Sequence, residues 1–261
     1  MPTKKKKNAL DVLAPLLEDP GIMEIMIDGP DHVSVEKGGR IEDTDVRFGS
    51  NEEVKKVIQE VLAMAGQKIE EGKTLYDVRL SDNSRMMAIL SPTSIKGHSV
   101  VFRKWMTKQI TWEKLLEYKS VSPEVRDLIQ SAIRARVSIL VAGGTASGKT
   151  TFANRIVELI PSEERVVAVE QTHELQFDHP RSVFLEAGGN VSISLNDLLT
   201  AGSKMRPDWL VIGELRGVET LHAMQIMGNG HSAISTIHAT SAENALARLE
   251  TLCLMANLGL G

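Results

Sequence analysis

One short segment constrains this chain more than any other: Gly143-Gly144-Thr145-Ala146-Ser147-Gly148-Lys149-Thr150 fits the pattern G-x-x-x-x-G-K-[ST]. The apolar stretch 138–141 precedes it, and Phe152, Ile156, Leu159 and Ile160 follow at helical spacing. A strand that enters a glycine loop and a helix that leaves it form the setting in which backbone N–H groups wrap phosphates. The helix N-terminus adds a dipole that favours the anion. There the Lys149 ammonium reaches β- and γ-phosphates and the Thr150 hydroxyl ligates Mg²⁺. ATP and Mg²⁺ are therefore the expected ligands, cradled by residues Gly143 to Thr151. An ordinary glycine-rich turn is the rival reading, and the flanking strand and helix weigh against it.

A loop of this kind belongs at the edge of a parallel sheet, and the second half of the chain is patterned for one. Ser122-Pro123 reads as an N-cap followed by proline at the first helical position. Strands are then expected over 137–141, 165–169, 183–186, 209–212 and 233–237, with helices starting near Lys149, Ser194, Val218 and Ala242. Such alternation predicts helices on both faces of a largely parallel sheet. Ligands of these sheets lie beyond the carboxyl ends of the strands. Three chemistry-bearing residues stand there: Glu170, Glu214 and His238. Hydrolysis of a nucleoside triphosphate needs one carboxylate to orient or deprotonate water and another near the metal. His231 precedes its strand and should lie toward the opposite edge, which argues against a zinc pair with His238. His222, His173 and His179 carry no such signal, and Cys253 reads as a core thiol.

The first half differs. A short helix over 9–18 is disturbed by Pro15, and strands are expected over 22–27, 32–36, 41–48, 75–80, 85–90 and 99–104. A helix over 51–65 places Val54, Val57, Ile58, Val61 and Leu62 on one face. This part is α+β with mostly antiparallel pairing, and its periodicity holds no catalytic signature. Residues 107–121 read as a linker with a short helix.

Composition excludes several classes. Lys+Arg total 30 against Asp+Glu 34, a formal charge of −4, so nothing electrostatic calls for nucleic acid. The single cysteine excludes an intramolecular disulfide and a cysteine-clustered zinc site. Apolar runs fall far short of the ~20 residues that span a bilayer. The Lys4–Lys7 run reads as a solvated leader, and the chain is expected in the cytoplasm.

Taken together, GGTASGKTT (143–151), VVAVEQTHELQ (166–176), MRPDWLVIGELRG (205–217) and GHSAISTIHA (230–239) resemble the secretion ATPase superfamily of type II and type IV secretion, type IV pili and archaella. There they form the phosphate loop, the acidic box, a metal-binding box with glutamate after glycine, and the histidine box. EIMIDGPDHVSVEKGGR (24–40), LYDVRLSDNSR (75–85) and VVFRKW (100–105) are similar to the CpaF-type branch that drives tight-adherence (Flp) pilus assembly, and to related type IV secretion and conjugation motors. The resemblance implies an α/β fold: a RecA-like P-loop NTPase domain with a parallel sheet over 122–261, behind a smaller α+β domain over 1–106.

It also implies roles. Glu170 is the water-activating base, Glu214 supports Mg²⁺, and His238 senses the γ-phosphate. Arg85 and Arg103, in DNSR and FRK, approach that phosphate from the first domain. The implied partners are further copies of the chain in a hexamer and an inner-membrane platform protein. Two departures stand out. Gln171 replaces the family's usual aspartate, and family members continue past the equivalent of Leu254 with further helices. A nucleotide-gated scaffold with little turnover and a DNA-translocating conjugation motor are the alternatives. A kinase is more remote, because no acceptor-binding segment is visible.

Overall fold

The computed structural model describes residues 8–105, 110–145, 147–188 and 193–258. The Lys4–Lys7 run, Ala146 of the phosphate loop and the start of the 107–121 segment lie outside them. The chain divides into two compact units, Met1–Lys108 and Gln109–Gly261.

The first unit opens with a 3₁₀ turn (Ala9–Val12) and α1 (Ala14–Glu18). Pro15 is tolerated because it sits in the first turn, where amide donors have no helical partner. Next come β1 (Ile22–Asp28), β2 (Val33–Lys37), β3 (Arg40–Asp43), α2 (Asn51–Met64), β4 (Leu75–Arg79), β5 (Arg85–Ile89) and β6 (Ser99–Arg103). The sheet order is β3-β2-β1-β6-β5-β4, and every neighbouring pair is antiparallel. Ser50 caps α2 by accepting from the Glu53 amide. Val54, Val57, Ile58, Val61 and Leu62 are buried in the same core as Ile25, Ile27, Val78, Met86, Ala88 and Val100. The strand expected over 41–48 ends at Asp43. Beyond it the Thr44 hydroxyl donates to the Val33 carbonyl, and the Phe48 amide donates to the Pro30 carbonyl, which buries Phe48. An exposed edge strand gains less from pairing than Phe48 gains from leaving water.

The second unit runs α3 (Trp112–Glu117), α4 (Pro123–Arg134), β7 (Ile139–Gly143), α5 (Lys149–Val157), β8 (Val166–Glu170), β9 (Ser182–Glu186), α6 (Leu195–Ser203), β10 (Trp209–Leu215), α7 (Glu219–Gly228), β11 (Ser232–His238) and α8 (Ala242–Asn257). The order is β7-β11-β10-β8-β9, parallel throughout. Strand alternation divides the core. Val166, Ala168, Trp209 and Val211 join Ala153, Ile156 and Val157 of α5 on one face. Val167, Val169, Leu210 and Ile212 join Leu198 and Leu199 of α6 and Ala223 and Ile226 of α7 on the other.

Two strand bounds move from their sequence-based positions. β7 starts at Ile139, not at 137, because Arg136 is left-handed (φ 56) and the Val137 amide bonds back to the Ala132 carbonyl at 2.9 Å. That Schellman turn takes Val137 for the end of α4. β10 continues to Leu215 through a shift in its register with β11 between Ile212 and Leu215. Among the described residues, no helix is long and apolar enough to cross a membrane.

Candidate functional site

β7 ends on Gly143 and α5 begins on Lys149. Gly148, the residue before α5, has φ 88, a conformation that L side chains rarely adopt. Ser50, Thr111, Ser122, Ser194 and Ser241 each cap their helices by accepting from a first-turn amide. α5 has no side-chain cap and no acidic residue in its first turn. A Cβ built on Gly144 or Gly148 would meet nothing within 4 Å. An anion would therefore find helix amides without a competing carboxylate, along a rim kept low by glycine. The Lys149 ammonium donates to the Gly144 carbonyl at 2.7 Å, and the Ser147 hydroxyl donates to the same oxygen at 2.9 Å. Thr150 and Thr151 fall in the first turn of α5, both half-buried, while Thr145 is exposed.

Strand order brings the next groups alongside. β11 lies between β7 and β10, with His238 in register with Gly143. His238 Nδ1 is 3.5 Å from Lys149 Nζ, and its Nε2 is 3.0 Å from Glu214 Oε1. An ammonium only donates and a carboxylate only accepts, so this geometry suits a neutral imidazole protonated on Nε2. Glu214 owes its position to the β10 bulge. The Ser235 hydroxyl donates to the Ile212 carbonyl at 3.0 Å and the Thr236 hydroxyl to the Gly213 carbonyl at 2.6 Å. These bonds satisfy the stretch whose ladder register has slipped and aim Glu214 at His238. The other Glu214 oxygen receives Arg216 at 2.8 Å.

On the neighbouring strand, Glu170 ends β8 and is buried. Its Oε1 accepts from the amides of Glu174 and Leu175 at 2.9 and 2.8 Å, and His173 Nδ1 lies 2.9 Å from Oε2. It fits because Gly213 lies beside it: a Cβ there would meet Glu170 Cγ at 2.9 Å. Glu170, Glu214, His238 and Lys149 all stand at the carboxyl edge of one sheet, as the strand pattern predicts. Among the described residues no group of three or more His, Cys, Asp or Glu side chains converges as a metal cage. Thr150 and Glu214 offer a sparse set of oxygen donors. That suits Mg²⁺, which takes few protein ligands and completes its shell with phosphate oxygens and water.

Two residues escaped the sequence reading. His173 is not an ordinary loop histidine but a partner of Glu170, and Arg216 pairs with Glu214. The i,i+3 spacing of Glu170 and His173 was visible in sequence, but outside a helix it fixes no geometry. The other histidines read as expected. His222 Nε2 is 2.9 Å from the Thr200 hydroxyl, His179 meets the Pro161 carbonyl, and His231 meets the Ile226 carbonyl at the opposite end of β11. Cys253 is partly buried, which pushes its thiol up.

In the first unit, strand register pairs Arg79 with Arg85 and Arg85 with Arg103. Arg85 chelates Asp77 through Nε (2.8 Å) and a terminal nitrogen (2.7 Å), and Arg103 Nε lies 3.3 Å from Glu24. Three guanidinium-bearing positions thus run side by side across β4, β5 and β6.

The family model for Type II/IV secretion system protein matches residues 6–258. Conjugal transfer protein TrbB of Rhizobium radiobacter is 28% identical over 247 residues, 93% of this chain and 75% of its own. Type IV secretion system protein PtlH of Bordetella pertussis is 39% identical over 135 residues, 49% of this chain and 40% of its own. Among solved structures, the ATPase DotB of Yersinia pseudotuberculosis matches with a TM-score of 0.70 at 18% identity, covering 99% of this chain and 73% of that one. At that identity the likeness is one of fold. The α/β architecture expected from sequence, an antiparallel α+β unit followed along the chain by a parallel RecA-like sheet, is the one found.

Proposed function

Because this chain belongs to the Type II/IV secretion system protein family, we propose that it hydrolyses ATP with Mg²⁺ to drive a pilus-assembly or secretion machine. The observation that carries the reading is the run Lys149–His238–Glu214 beside the uncapped start of α5. His238 stands 3.5 Å from Lys149 and 3.0 Å from Glu214, which links the cation to the carboxylate where a triphosphate would sit.

In this reading the loop amides and Lys149 hold the phosphates. Thr150 and Glu214 hold Mg²⁺, which supplies charge neutralisation on the phosphate oxygens. Glu170 takes a proton from water whose oxygen attacks the γ-phosphorus in line, and the bridging bond breaks to release ADP. Contacts of His238 with both Lys149 and Glu214 support a role for it in sensing the γ-phosphate. Arg85 and Arg103 add positive charge when the first unit closes on the nucleotide. The segments at 24–40, 75–85 and 100–105 support placement in the CpaF-type tight-adherence branch. We assign the working form as a hexameric ring, cytoplasmic and docked on an inner-membrane platform protein.

Lys149→Ala should abolish phosphate release while costing only about 0.5–1.5 kcal/mol of stability, since it removes one hydrogen bond from a half-buried position at the start of α5. Retention of most turnover would remove the site assignment. Particle mass with and without ATP and Mg²⁺ tests the ring. A DNA-translocating motor is the second reading, favoured by the conjugal transfer protein among the relatives. The net charge of −4 weighs against it, and salt-dependent DNA binding that stimulates turnover would establish it.

A further inference from the structure

Glu170 cannot act alone. Its Oε1 is committed to two backbone amides, those of Glu174 and Leu175, at 2.9 and 2.8 Å. Only Oε2 remains to take a proton from water, and His173 Nδ1 stands 2.9 Å from it. In its role as base Glu170 is a carboxylate, and a carboxylate only accepts. The contact therefore requires the proton on Nδ1 of His173.

The imidazole is itself held. Its ring meets Phe184 edge-on, with centroids 5.3 Å apart, and its own backbone amide donates to Glu186 Oε1 at 3.0 Å. Strand β9 thus supports His173 from behind through Phe184 and Glu186. Gly213 of β10 lies against the other side of Glu170, where an added Cβ would meet Glu170 Cγ at 2.9 Å.

We propose that His173 is the positioning residue of the catalytic carboxylate: its Nδ1–H holds Glu170 Oε2 in the direction from which the attacking water must approach. His173 takes no proton in the step. The proton leaves water for Oε2, the water oxygen bonds to the γ-phosphorus, and the electrons of the broken bridging bond go to ADP. The inference rests on the reading of Glu170 as base. It follows that the hydrogen bond matters to the rate of the chemical step and not to nucleotide binding.

The test compares His173→Ala, which removes the donor, with His173→Asn, whose side-chain N–H can occupy the Nδ1 position. Steady-state phosphate release gives kcat and KM, and calorimetry gives ATP affinity. The expected result is a kcat for His173→Ala lower by on the order of 10- to 100-fold, the worth of one hydrogen bond to a charged group, with KM and affinity unchanged. His173→Asn should recover most of that loss. In a Glu170→Gln background, His173→Ala should cost little more, since the two act as one unit. Equal losses in both His173 variants, parental kcat in His173→Ala, or losses that multiply in the double variant would each overturn the proposal. Parental turnover in Glu170→Gln would instead remove the base assignment, and this inference with it. A slow Glu170→Gln beside a normal His173→Ala would sink the inference alone.

Discussion

Adding one methyl group at Gly213 should show how closely the site is packed. The Cβ of Gly213→Ala would stand 2.9 Å from Glu170 Cγ and 3.2 Å from Glu170 Oε1, where carbon atoms normally keep about 3.5–4.0 Å. Gly213 does not need a glycine-only conformation, since its φ is not among the positive ones, so the whole cost is steric. Relief requires Glu170 to move by roughly 0.6–1 Å. Its Oε1 bonds are only 2.9 and 2.8 Å long, and the side chain is 3% exposed, so it has no solvent to retreat into.

Overpacking costs about 1–3 kcal/mol, and weakening one charged hydrogen bond costs a comparable amount. A net loss of about 2–3 kcal/mol corresponds to a Tm lower by roughly 4–12 °C for a unit of this size. Turnover should fall by about 10²–10⁴, as for loss of the base itself. The control is Gly202→Ala, whose Cβ would press on Val169 and Val167 methyls at 3.2 and 3.3 Å and touch nothing in the site. It should lower Tm and leave kcat near parental in the folded fraction. Thermal unfolding beside phosphate release decides the matter. Parental Tm and turnover in Gly213→Ala would refute the packing argument, and equal kcat losses in the two variants would refute its link to Glu170.

Other outcomes follow from the same geometry. Glu170→Gln should leave ATP and Mg²⁺ binding near parental while slowing hydrolysis by about 10²–10⁴; Glu214→Gln should also weaken the Mg²⁺-dependent part of ATP affinity, as titrations with and without the metal will show. Arg103→Ala should reduce ATP affinity more than ADP affinity by calorimetry, because ADP lacks the phosphate being clamped; equal losses would leave the first unit without a part in the chemistry. Stability of the first unit should depend on pH through His98. Burial first and the Lys55 charge second push this imidazole down, against the Glu52 carboxylate, and its Nδ1 accepts from the Ser91 amide at 3.0 Å. With the folded value depressed, the unfolded chain binds the proton more readily. The contribution is therefore full above about pH 6.5 and is lost as pH falls from there through the folded value. Thermal melts between pH 8 and 5 should show this fall, and His98→Gln should flatten it.

The phosphate loop, the parallel sheet and the edge that carries Lys149, Glu170, Glu214 and His238 were all legible in the chain. Each rests on local rules: glycine where backbone must approach an anion, apolar runs for strands buried on both faces, and serine ahead of α2, α4, α6 and α8. The antiparallel first unit was equally readable, because period-2 burial and turn residues are local signals. What the sequence alone left open depended on non-neighbouring strands. The order β7-β11-β10-β8-β9 decides that His238 stands between Lys149 and Glu214, and no periodicity encodes which strands become neighbours. The bulge at Gly213–Glu214 arises from pairing with β11, so the strand read as ending at 212 runs on and turns its carboxylate toward His238. Val137 looked like strand and became the end of α4, because the left-handed Arg136 lets its amide satisfy a helix carbonyl. His173 was unremarkable in a loop until the chain's return through β9 set Phe184 behind it and Glu170 before it. Local propensity acts on residues a few positions apart, whereas a buried carboxylate takes its partners from whatever the packed sheet brings within hydrogen-bonding reach.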